Sequence, residues 1–215
     1  MSIDKYRSIL FDFDYTLADS SRGICECVSY ALLNMGHAIP SDKQICKTIG
    51  LSLPEVYYTF TKDDDPIASD TFRSLFKKKA DIVMTKNTVL FDEVPQTIEF
   101  LHNNNVKCGI VSTKYRYRIL EVLKRDGLAE KFDIIVGGED VCNPKPDPES
   151  LLKAIQGLGI KKEECLYIGD SIVDAKTAIN AGVDFIGVLS GTTTREQFSA
   201  YRCIKIIEQL TNLIS

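Results

Sequence analysis

No block of basic residues interrupts this chain of 215 residues, and its formal charge is −4 at pH 7. A surface that grips a nucleic-acid backbone needs clustered Lys and Arg, so nucleic acid is not an expected partner. The short run Lys77-Lys78-Lys79 reads as a solvated helix face. No apolar stretch approaches the roughly 20 residues of a spanning helix, which leaves no membrane role. Residues 1–7 are polar and do not resemble a signal peptide, so a cytoplasmic protein is expected. No Cys-x-x-Cys occurs among the seven cysteines, and Cys25-Glu26-Cys27 lacks the second ligand pair that a zinc site requires. Free thiols in a reducing compartment are the plain reading. Internal repeats and low-complexity tracts are also missing.

What is present is enough apolar residue, 44% of the chain, for one sizeable core or one core with a small accessory domain. Short apolar runs at 8–13, 106–112, 133–136, 165–169 and 185–189 read as strands buried on both faces. Helical patterns at 95–104, 117–125, 148–158 and 172–181 lie between them, the last stopped by Gly182. Alternating strands and helices predict an α/β fold, a parallel sheet with helices on both sides. One stretch breaks the alternation. Between about Ser20 and Thr85 only helices are predicted, at 24–35, 53–60 and 68–84, with Asp63-Asp64-Asp65-Pro66 as a turn. The expected organisation is therefore a core domain from 1–19 and 86–215, interrupted by a helical domain at 20–85.

Four places along the core carry polar chemistry at strand ends, where open parallel sheets bind ligands. In the first, Asp12 and Asp14 flank Phe13 and point the same way from an extended chain. Carboxylates that close need a cation nearby, or one must hold a proton. A metal-held nucleophile beside a general acid/base meets both needs; a turn capped by the acids and closed by Thr16 fits the local sequence equally. In the second, Ser112 and Thr113 end a strand with hydroxyl groups and backbone N–H groups that suit a phosphate oxygen, or a helix cap. In the third, Pro144 and Pro146 hold Lys145 out of a helix, as a fixed point charge or on a solvated loop. In the fourth, Gly169-Asp170-Ser171 opens a helix with Asp174 one turn on. Hard oxygen ligands of that kind suit Mg²⁺, and an N-cap explains them locally. Each place has an ordinary explanation; all four in this order share none.

In that order the four places resemble the motifs of the haloacid dehalogenase-like superfamily, across essentially the whole chain. The resemblance implies a Rossmann-like core with a small helical cap at 20–85. It implies Asp12 as the nucleophile that forms an aspartyl-phosphate and Asp14 as general acid/base, with its backbone carbonyl on the metal. Thr16 would support that loop, and Ser112 with Thr113 would hold the phosphoryl group. Lys145 would neutralise charge, Asp170 would bind Mg²⁺, and Asp174 would support the metal directly or through water. The branch is similar to phosphoglycolate phosphatase-like enzymes. There Thr48, Gly50 and Leu51 match a substrate-facing cap loop. Tyr15 stands where glycine is common, as a ring that narrows the entrance, meets the leaving group or packs under the cap.

The implied activity is Mg²⁺-dependent hydrolysis of a small phosphomonoester, with pyrophosphatase or nucleotidase chemistry as the near alternative. The expected partner is a small phosphorylated metabolite, and the expected state a monomer or homodimer. A phosphosugar mutase of the superfamily commonly carries a histidine just after the first motif; residues 18–23 have none. Dehalogenases and phosphonate-cleaving relatives lack an acid where Asp14 stands. A binding module with a decayed site would lose an acid or the lysine, and all are present. Lys114, Arg116 and Arg118 follow the second place and are expected on a solvated helix face, or else at the mouth of the site, where they would draw anions.

Overall fold

A computed structural model describes residues 5–213. The chain divides into two compact units: one runs to Ala18 and resumes at Leu90, and the other is Asp19–Val89. Residues 1–4 and 214–215, which the sequence reading assigns to the core domain, lie outside the described residues.

The first unit is built on six parallel strands: β1 (Ser8–Phe11), β4 (Lys107–Val111), β5 (Ile134–Val136), β6 (Cys165–Gly169), β7 (Asp184–Val188) and β8 (Lys205–Ile207). Their spatial order is β5-β4-β1-β6-β7-β8. Two further strands, β2 (Ala18–Asp19) and β3 (Val89–Leu90), pair with each other where the chain passes between units. β1 is central and buried throughout, as a strand covered on both faces must be. Period-two alternation then splits its side chains between two cores. Ile9 and Phe11 join one with α5 (Val94–Asn103) and α6 (Arg116–Arg125). Leu10 joins the other with α7 (Glu149–Leu158) and α8 (Ile172–Ala181).

Two glycines set local geometry. A Cβ on Gly109 would lie 2.5 Å from Leu10 Cδ2, so glycine lets β4 sit beside β1 under α7. Gly182 ends α8 in the left-handed region at φ 70°, as the sequence pattern predicts.

The expected strand at 8–13 ends earlier, at Phe11. The Asp12 N–H still donates to Ile168 O at 2.9 Å, but the Phe13 carbonyl then accepts from Leu17 and Ala18 at 2.9 and 3.0 Å, which turns the chain. β8 was not expected; its few residues sit beyond a helix, α9 (Arg195–Ser199), too short to show a period.

The second unit is helical: α1 (Ser21–Asn34), α2 (Asp42–Cys46), α3 (Leu53–Thr61) and α4 (Pro66–Val83). Its core gathers Val28, Leu32, Ile45, Tyr57 and Phe72. Ser52 and Glu55 form a capping box at the start of α3. The Asp65 side chain accepts from the Ile67 N–H at 3.0 Å, with Pro66 in the first turn of α4. The five-residue α2 escapes the sequence pattern because it is shorter than two turns. Among the described residues, no helix is long and apolar enough to cross a membrane.

Candidate active site

Strand register brings the sequence-distant acids to one end of the sheet. Phe11 is level with Ile110 of β4 and Ile168 of β6. The chain therefore delivers Asp12, Ser112 and Asp170 at neighbouring strand ends. All three are buried, as are Asp14, Lys145 and Asp174.

Lys145 is the hub. Its Nζ lies 3.0 Å from Asp12 Oδ1 and 2.6 Å from Asp174 Oδ1, and it donates to Tyr167 Oη at 3.1 Å. The loop that the prolines stiffen is thus not a solvated one: Lys145 is 2% exposed. Burial disfavours its charge, but Asp12 and Asp174 outweigh that cost and hold its pKa above the ordinary lysine value.

Asp174 is fixed on every side. Oδ1 accepts from Lys145 and from the Tyr167 hydroxyl at 2.8 Å. Oδ2 accepts from the Ser171 hydroxyl at 2.5 Å and the Ser171 N–H at 3.1 Å. Ser171 in turn caps α8 by accepting from the Asp174 N–H at 3.2 Å. The N-cap and the polar cluster are one device rather than alternatives. Gly169 keeps the space open, since a Cβ there would lie 2.5 Å from Asp174 Cβ.

Asp12, Asp170 and Asp174 each offer one carboxylate oxygen, and these lie within 4.8 Å of one another. Burial first, then the neighbouring acids, pushes Asp12 up to about 7 despite Lys145. The same causes, burial before the charges of Asp174 and Asp12, raise Asp170 well above the usual carboxylate range. A cluster of oxygen donors whose negative charge is undercompensated fits a hard divalent cation. Since Asp174 is spent on Lys145, Tyr167 and Ser171, the donors that fit as direct ligands are Asp12 and Asp170. Thr16 supports this side, with its hydroxyl donating to Asp170 Oδ1 at 3.4 Å.

Asp14 sits on the same loop with Lys114 Nζ 2.9 Å from its Oδ1. This corrects the expectation for the basic trio. Lys114 precedes α6 and is buried, because Asp14 offers it a counter-ion; Arg118 is also buried, beside the Tyr117 ring. Arg116 is half-exposed and pairs with Asp140 at 3.2 Å. The Ser112 hydroxyl accepts from the Lys114 N–H at 3.3 Å, and Thr113 follows half-buried in the same turn. Tyr15 takes φ 61°, the left-handed region that explains why glycine suits this position. Its carbonyl accepts from the Ser190 hydroxyl.

Thr48, Gly50 and Leu51 belong to the helical unit. There the Thr48 hydroxyl donates to Ile45 O at 2.7 Å, Gly50 takes φ 97°, and Leu51 packs on the helical core.

Residues 9–188 match the model of the family described as haloacid dehalogenase-like hydrolase. The chain belongs to that family. As a haloacid dehalogenase-like hydrolase it is 29% identical to a phosphoglycolate phosphatase of Salmonella typhimurium, over 88% of this chain and 83% of that protein. It is 29% identical to the pyrophosphatase PpaX of Bacillus velezensis, over 100% of this chain and 97% of that protein. A haloacid dehalogenase-like hydrolase structure from Bacteroides fragilis superposes with a TM-score of 0.95 and 48% identity, covering 97% of this chain and 99% of that one.

Sequence reasoning missed three features of this hydrolase's site. Tyr167 looked like one more apolar strand residue, although a hydroxyl in a fully buried strand must find partners. Gly191 gave no signal alone, yet a Cβ there would lie 1.9 Å from Asp170 Oδ2. Lys114 was readable as a solvated charge or as one that draws anions to the mouth, while its pairing with Asp14 was not.

Proposed function

We propose that the protein is a Mg²⁺-dependent, cytoplasmic phosphatase that hydrolyses a small phosphomonoester resembling phosphoglycolate through an aspartyl-phosphate on Asp12. The observation that carries this is Lys145 Nζ, buried between Asp12 and Asp174 at the end of β1. Asp12 is the nucleophile: its oxygen bonds to phosphorus as the bond to the leaving oxygen breaks. Asp14 gives that oxygen a proton, then takes one from the water that cleaves the acyl phosphate and frees inorganic phosphate. Lys145, Ser112 and the N–H groups around Thr113 hold the phosphoryl oxygens, as electrostatic preorganisation requires. Asp12, Asp170 and the Asp14 backbone carbonyl would hold Mg²⁺, which when bound offsets the repulsion between Asp12 and the phosphate. Tyr15, on the loop that carries Asp14, would meet the leaving group.

Inorganic pyrophosphate is the second substrate to weigh, because the likeness to the pyrophosphatase spans the full chain. Glycolate and phosphate are both anionic leaving groups. The test is phosphate release from a panel of phosphomonoesters, nucleotides and pyrophosphate, with Mg²⁺ or with EDTA. Turnover with Mg²⁺ on one substrate, abolished by EDTA and by Asp12→Asn, is expected. Full turnover by Asp12→Asn would exclude the covalent route.

A further inference from the structure

We propose that Cys25 and Cys46 form a site of reversible oxidative modification, at which a hydroperoxide closes the pair to a disulfide within the helical unit. Both residues belong to that unit, so the proposal stands apart from the phosphatase reading.

Cys25 lies near the start of α1 and Cys46 ends α2, 21 positions further along the chain. Their sulfur atoms are 3.8 Å apart, in contact but unbonded. A disulfide holds its sulfurs about 2.05 Å apart, so closure needs a movement of roughly 2 Å. The short helix α2 can supply it. It has five residues and buries Ile45, whereas α1 has fourteen and buries six.

The two thiols are unequally placed. Cys25 is buried, and its thiol also reaches Asp42 O at 3.8 Å. Burial, then Cys46, raises it to about 12, so it keeps its proton. Cys46 is only half-buried and is the one a peroxide meets first. An accessible thiol with a second thiol poised to resolve it is the arrangement of a reversible oxidation site. The Cys46 sulfur attacks the O–O bond and takes one oxygen as a sulfenic acid, and the other oxygen leaves as water. The Cys25 sulfur then attacks Cys46, and the S–O bond breaks. The departing hydroxide takes the Cys25 proton and leaves as water. Two thiols lose two electrons and two protons, and one hydrogen peroxide becomes two waters. Small thiols reverse the step by exchange. In a reducing compartment the pair rests as the dithiol, the form this structure has.

The test exposes the full chain, freshly reduced, to hydrogen peroxide, alkylates the remaining thiols in denaturant and digests without reductant. Cleavage after Arg22, Glu26, Lys43 and Lys47 parts Cys25 from Cys27 and gives fragments 23–26 and 44–47. These should be recovered joined, about 2 Da below the sum of their masses, and dithiothreitol should separate them. In the folded protein this pair should exceed every other cysteine pairing by about tenfold or more, because the fold holds the sulfurs together. That excess should vanish when the peroxide is added in urea. Cys46→Ser should abolish the joined fragments and leave Cys25 open to alkylation. Recovery of both fragments alkylated would overturn the proposal and reduce the contact to packing. So would Cys46 recovered as a sulfinic acid, or bonded to another cysteine or to a second copy of the chain. Equal joining in the folded and urea-unfolded chain would overturn it as well. Each of these outcomes is read on the wild type, whether or not the variant folds.

Discussion

Tyr167 and Asp174 share a hydrogen bond of 2.8 Å that ties the middle of β6 to the first turn of α8. The same hydroxyl lies 3.1 Å from Lys145 Nζ and 3.1 Å from the Val111 carbonyl. One phenol thus links the loop lysine, the end of β4 and the first turn of α8. Burial, then the charges of Asp174 and Asp12, pushes its pKa well up, so it stays a neutral donor.

Tyr167→Phe removes that donor and leaves the ring, which faces Phe185 at 6.0 Å. Buried partners left unsatisfied cost about 1–3 kcal/mol, so a lower melting temperature is expected. Because Lys145 loses a bond that fixes its position, kcat should fall more than KM changes. Steady-state kinetics on Tyr167→Phe check this, and an unchanged kcat would show that the ion pairs with Asp12 and Asp174 position the lysine without the phenol.

Gly191→Ala places a methyl against the Asp170 carboxylate, 1.9 Å from Oδ2 in the present geometry. Such an approach is impossible, so the carboxylate must move. With Asp170 as the proposed Mg²⁺ ligand, disturbing its setting should cost about 10–100-fold in metal affinity. A Mg²⁺ titration of activity should show half-saturation shifted upward by that factor.

The pH dependence of metal-free stability follows from Asp12. Its carboxyl lies at about 7 in the folded protein against an ordinary value of 3.8. A raised value means the folded state keeps a proton that the unfolded chain has lost. The contribution to stability is complete below 3.8 and fades as pH rises through 7. Mg²⁺ held as proposed would bind the ionised form and compete with that proton. Thermal melts should therefore show a larger Mg²⁺-induced rise at pH 8 than at pH 5, and EDTA should abolish the difference.

Tyr15→Gly tests the departure from the common residue. The left-handed backbone at φ 61° costs an ordinary residue about 1–2 kcal/mol. Glycine removes that cost but adds freedom to the unfolded chain, worth about 0.4–1 kcal/mol in the opposite direction. Little net change in melting temperature is expected, while the ranking of substrates should shift if the ring meets the leaving group. Chemical denaturation and the substrate panel separate the two effects.

The residues that form the ends of β1, β4 and β6 were legible because three apolar runs each terminate in acids or hydroxyls, and the ordinary turn or cap that explains each one does not explain all of them together. Lys145 was legible because two prolines restrict it. Lys114 was not, because a lysine beside a helix start has the same local pattern whether it is solvated or buried; only Asp14, 100 residues away, decides. Tyr167 hid within a strand whose neighbours are apolar. Gly191 acts through the space it leaves to Asp170, and an empty space has no pattern.

The central strand is written first and completed late. Ser8 of β1 pairs with Lys107 on one side and Cys165 on the other. At roughly 5–20 residues per second on the ribosome, β1 waits many seconds for its second neighbour. The helical unit, contiguous from Asp19 to Val89, has every residue of its own core in hand long before then. A nascent chain halted near residue 100 would carry a finished helical unit and an unpaired hydrophobic strand leading into Asp12, which is the stage at which a chaperone would matter most.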